Sequence, residues 1–91
     1  MDAYITRDEF DPILFGAKRS EIMSLDAEIG AVIRFREIDP DAAILTGRWV
    51  DVRVTWRRPI DRGARALVSF VPMQHGIDRP SLTPDPKQRA A

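Results

Sequence analysis

Residues 48–57 read Arg48-Trp49-Val50-Asp51-Val52-Arg53-Val54-Thr55-Trp56-Arg57. Successive side chains of a strand point to opposite faces, so this run separates into two sets. Val50, Val52, Val54 and Trp56 share one face; Trp49, Asp51, Arg53, Thr55 and Arg57 share the other. Such a strand has one face against a core and one mostly in water, the pattern of an antiparallel sheet. A chain of 91 residues makes one domain around such a sheet.

The other segments fit around it. Thr6-Arg7-Asp8-Glu9 matches a capping box, and Phe10, Ile13 and Leu14 then lie on one helical face. Pro12 leaves two readings open: one helix from Thr6, or a new start with Asp11 as cap and Pro12 in the first turn. Gly16 stops the helix in either case. Strands are predicted over 18–24, 31–38 and 64–73, with Asp39-Pro40-Asp41 as a break, Thr46-Gly47 as a bend and 59–63 as a loop. From Gly76 onward, Pro80, Pro84 and Pro86 among polar residues leave little to bury. The expectation is an α+β, mostly β domain over 1–75: a small barrel of about five strands with one short N-terminal helix across it or plugging an end. Residues 76–91 are expected to form a flexible, Pro-rich tail.

Net charge is zero, which argues against binding nucleic acid by bulk electrostatics. The charge is uneven, with seven acids and three bases in residues 1–30 and six arginines and four acids in residues 31–60. With no cysteine and one histidine, neither a disulfide framework nor a thiolate or histidine-rich metal site can form. No apolar run approaches the roughly 18 residues of a membrane span, and the acidic N-terminus lacks the form of a signal peptide. A cytoplasmic protein with no cofactor is the simplest expectation.

The order of residues resembles the ASCH domain of the PUA-like barrel superfamily, close to a subfamily of short ASCH-like proteins common in phages and prophages. An aromatic-led helix, Phe10 to Phe15, runs into Gly16-x-Lys18-x-x-Glu21. Gly30 and a strand ending in Glu37 follow, then Thr46-Gly47-Arg48 with Val52-x-Val54-Thr55, and finally Leu67-Val68-Ser69-Phe70. The resemblance spans residues 4 to 72. The chain departs from the family at Met23, where an arginine is usual, at Ala3-Tyr4-Ile5 in place of His-x-Leu-Lys, and at Gly30-Ala31 in place of Gly-Asp. The resemblance implies a PUA-like barrel whose cleft binds RNA or a modified nucleoside, with Lys18 in its lining.

Lys18 is the only lysine before Lys87. A cleft lysine can grip phosphate, and Glu21 can hold the ammonium or accept from a base edge. The bland alternative is a surface ion pair worth about 0–1 kcal/mol. Thr46, Gly47 and Arg48 form the second candidate: glycine lets a ligand approach the backbone, and arginine forks onto phosphate or a guanine edge. Its counterpart is a turn glycine beside a strand-end arginine. Trp49, with Arg53, Arg34 and Arg36 on the outer face, could stack a base or meet a protein; otherwise the indole is covered by the chain itself. Trp56, on the valine face, is expected in the core.

Three functions follow. The first is RNA or modified-nucleotide binding in a cleft where Lys18 and Arg48 converge. The second is protein binding through the arginine-rich face and the tail. The third, weaker, is an acylcytidine amidohydrolase. The resemblance implies an extra helical insertion for that enzyme, where this chain has only the short loop 59–63. No catalytic triad, metal motif or phosphate loop replaces it.

Overall fold

A computed structural model of the chain describes residues 1–24 and 27–82. Strand β1 (Asp2–Thr6) leads directly into helix α1 (Arg7–Leu14), followed by β2 (Ser20–Met23), β3 (Val32–Asp39) and β4 (Ile44–Ile60). A 3-10 turn (Asp61–Gly63) joins β4 to β5 (Arg65–Ile77), and a two-residue β6 (Ser81–Leu82) ends the described chain. The strands form a curled half-barrel in the order β1-β3-β4-β5-β2, with β6 on β4. β1 and β3 run parallel; every other pairing is antiparallel.

The alternation in β4 places Val50, Val52 and Val54 in the core, against Ile33 and Phe35 of β3 and Val68 and Phe70 of β5. The Phe35 and Phe70 rings meet at 5.5 Å with planes inclined by 52°, the tilted geometry aromatic pairs prefer. Helix α1 closes this face with Phe10 and Ile13 fully buried and Leu14 packed alongside. Pro12 lies inside one continuous helix. Its missing N–H removes the intrahelical bond to the Asp8 carbonyl, and the helix ends two residues later. The Asp11, Pro12 and Ile13 carbonyls there accept from the Phe15, Lys18 and Gly16 amides. The capping box does not form: Thr6 makes no side-chain cap bond. Thr6 is also the last residue of β1, paired with Ile38, so its backbone serves the sheet.

Three bulges shape the sheet. At the first, Glu37 on β3 stands opposite Thr46-Gly47-Arg48 on β4, because Arg36 pairs with Trp49 and Ile38 with Leu45. At the second, Val54 pairs with Phe70 but Trp56 with Ser69, leaving Thr55 as the extra residue. An extra residue reverses the facing of all that follows. Trp56 therefore leaves the valine face and is 45% exposed, contrary to the expected core position. At the third, Asp51 pairs with Gln74 and Val52 with Pro72, so Met73 is extra on β5.

Part of the segment expected as a tail belongs to the sheet. Gly76 and Ile77 still pair with Trp49 and Arg48, and beyond residues 78–80, which belong to no strand, Ser81 and Leu82 pair with Leu45 and Ile44. The rest of that segment, 83–91, lies outside the described residues. The strand β1 was not anticipated at all. Among the described residues no helix is long and apolar enough to cross a membrane.

Candidate functional site

The bulge opposite Glu37 builds the most developed polar cluster on the inner side of the sheet. The Glu37 carboxylate is buried. Bending three residues around one lets two β4 side chains reach it. The Thr46 hydroxyl donates to Glu37 Oε1 at 2.6 Å and accepts from the Arg48 amide at 3.3 Å. The Arg48 guanidinium donates through Nη1 to Glu37 Oε2 at 3.1 Å and through Nη2 to Asp11 Oδ1 of α1 at 2.6 Å. Its carbon lies 4.6 Å from the centre of the Phe10 ring, a distance for cation–π attraction. Arg7 adds a longer ion pair to Asp11, 3.5 Å. The hydrogen bond from Arg48 holds the Asp11 carboxyl below its ordinary range, against a smaller opposing effect of desolvation.

Beside this cluster opens a cleft of about 590 Å³. Its lining combines Thr6 at the end of β1, Arg7 and Asp8 of α1, Glu37 to Pro40 at the end of β3, and Thr46 and Arg48 of β4. The turn is firm, since Asp39 Oδ1 accepts from the amides of Asp41 and Ala42 at 3.0 and 3.2 Å.

Gly47 lies between these two lining residues but does not itself line the cleft. Its φ is +98°, and a Cβ there would overlap the carbonyl oxygen of Asp78. The Asp78 amide in turn donates to the Gly47 carbonyl at 2.8 Å. The glycine is needed for this close approach of the chain's own backbone, not for the approach of a ligand.

Lys18 and Glu21 form an ion pair with each other. Neither lines the cleft beside Arg48; Glu21 borders a second depression. The expected convergence of Lys18 and Arg48 on one opening is therefore not what the lining displays.

The outer-face residues form a second network. Asp51 is buried there and accepts from Arg34 Nε at 2.7 Å, Arg34 Nη2 at 3.0 Å and Gln74 Nε2 at 2.9 Å. The Arg34 bonds lower the Asp51 pKa and raise that of Arg34. The Arg34 guanidinium also lies 3.9 Å from the centre of the Trp49 ring. The indole rests on Gly76, its cross-strand partner, where a Cβ would fall 2.6 Å from its Cζ2. Arg36 pairs with Asp2 at 3.0 Å and Asp78 at 3.6 Å, and Arg53 donates to the Gly30 carbonyl at 3.2 Å. Trp49, Arg34, Arg36 and Arg53 are thus each engaged within the chain.

Sequence reasoning missed Glu37 and Asp11 as site residues. For Glu37 a signal exists: a charged residue in a strand on the parity of Ile33 and Phe35 has to find partners inside. Asp11 carries no such signal, since only the fold brings α1 to Arg48. Among the described residues no cluster of ligating side chains could hold a metal. No protein-family model and no curated protein sequence matches this chain.

Proposed function

We propose that the protein binds an unpaired base of RNA, or a modified nucleotide, in the cleft beside Arg48. The observation that carries this reading is the meeting of Thr46 and Arg48 on the buried Glu37 in the lining of an opening of about 590 Å³. That volume lies within the range of small-ligand sites, and a few convergent polar groups at the back of a concave site fix a planar ligand by its edge. The resemblance to ASCH domains supports the same place, because Glu37 and Thr46-Gly47-Arg48 are among the residues that carry it.

The charges favour a base over a phosphate. Asp8, Glu37 and Asp39 line the cleft against Arg7 and Arg48, and Arg48 already holds two carboxylates. Asp8 and Glu9 also occupy the first turn of α1, where they answer the positive end of the helix. Base contacts release few counterions, so binding is expected to depend weakly on salt.

The test compares short unpaired RNAs and free nucleotides by fluorescence anisotropy and calorimetry, for the parent chain, Thr46→Val and Arg48→Lys. Binding that falls about tenfold in Thr46→Val, with a shallow salt slope, supports the reading. Binding untouched by both substitutions contradicts it.

A further inference from the structure

Among the described residues the half-barrel does not close, and its two edge strands, β1 and β2, line one groove. The sheet path starts at β1 and stops at β2. Asp2 to Ile5 of β1, and Glu21 to Met23 of β2 with the adjoining Ser24, border the same depression of about 380 Å³, with Phe35 of β3 and Glu9 of α1 also in its lining. Four residues on each side make a groove about 13 Å long at ~3.3 Å per residue.

The pairings identify which backbone groups face it. Met1 O accepts from the Arg34 amide, so odd residues of β1 turn toward β3, and Asp2 and Tyr4 turn toward the groove. Arg19 O accepts from the Phe70 amide, so Glu21 and Met23 turn toward β5, and Ser20 and Ile22 toward the groove. The Ile22 amide confirms this: its acceptor is not a strand but the neighbouring Glu21 side chain, at 3.2 Å. Neither edge carries the lysine or proline that commonly blunts an open strand.

We infer that an extended, basic peptide segment of a partner protein docks here by strand addition, pairing with the backbone of Tyr4 and Ile22. The charged residues in the lining are acidic: Asp2, which Arg36 holds, Glu21, which Lys18 holds, and Glu9 of α1. A partner strand that sets an arginine or lysine opposite Glu9 answers that charge. Because β1 and β2 run in opposite directions, such a segment lies parallel to one and antiparallel to the other. The inference stands apart from the cleft beside Arg48, with which this groove shares no lining residue.

The experiment titrates the 15N-labelled full chain with two blocked hexapeptides, one alternating arginine with valine and one alternating glutamate with valine. The arginine peptide is expected to shift the Tyr4 and Ile22 amides and slow their hydrogen exchange about tenfold, while the glutamate peptide does neither. Glu9→Lys, an exposed helix position that leaves both strands intact, is expected to weaken the arginine peptide about threefold. Equal shifts with both peptides, shifts confined to other residues, or no shift at all would overturn the inference. So would concentration-dependent shifts of Tyr4 and Ile22 without peptide, which assign the edges to a second copy.

Discussion

The Arg48 guanidinium ties β4 to α1 by donating to Asp11 Oδ1 at 2.6 Å. The same group holds Glu37, so one arginine joins a helix carboxylate to a buried strand carboxylate. Three hydrogen bonds thereby link Asp11, Arg48, Glu37 and Thr46 in or beside the cleft lining. Removing Arg48 altogether would leave Glu37 buried without its cation, a change that costs stability as well as binding. Thr46→Val and Arg48→Lys are gentler probes for that reason.

The pH dependence of stability follows from Asp11 and Asp51, whose carboxyls are both depressed by arginine hydrogen bonds. Between the folded and the ordinary carboxylate pKa, the unfolded chain binds more protons, so stability rises with pH there. The contribution is complete above the ordinary value of roughly 4 and is lost as pH falls through the folded values. Urea denaturation from pH 7 to pH 2 should therefore show a steep acid loss. Asp51→Asn should cost about 2 kcal/mol at pH 7 and flatten the profile at its acid end. A profile unchanged by Asp51→Asn would remove Asp51 from the explanation.

Trp49 and Gly76 should behave as a unit. Gly76→Ala forces a methyl against the indole and is expected to destabilise by about 1–3 kcal/mol. In a Trp49→Ala background the clash is gone, and the same substitution should cost much less. A double-mutant cycle on denaturation midpoints reads the coupling directly; additive effects would mean the ring does not lie on Gly76 in solution.

Gly47→Ala meets both a positive φ and the Asp78 carbonyl. The expected loss is about 2–4 kcal/mol, since conformational strain and overlap add. Hydrogen exchange should also show faster opening of 78–82, whose position depends on that approach.

Much of this architecture is legible in the residues. The valine alternation, the Gly16 stop and the Phe10–Ile13–Leu14 face mark the core side of β4 and α1 correctly. Trp56 is misplaced because a bulge at Thr55 reverses its facing, and bulges leave no local mark in an alternating run. β1 escapes notice because Asp2 to Thr6 acquires a reason to be extended only from β3, more than 25 residues away. Thr46 and Arg48 stand out in the sequence through the Thr46-Gly47-Arg48 turn, and the fold brings both onto Glu37. Lys18 is not separable in sequence from a lysine that pairs with its own neighbour, Glu21.

Lys18→Ala should accordingly cost at most about 1 kcal/mol, as a partly exposed ion pair does. On the present account it leaves ligand affinity at the Arg48 cleft unchanged. A tenfold loss of RNA binding in Lys18→Ala would move the site toward the β2 side.

The cleft assignment meets its most direct test in amide chemical-shift mapping of the full chain with short unpaired RNAs and free nucleotides. The predicted result is a contiguous set of shifts at Thr6, Glu37, Asp39, Thr46 and Arg48, saturating with added ligand. Shifts confined to the outer-face residues Trp56 and Arg58, or none anywhere at millimolar ligand, would contradict it.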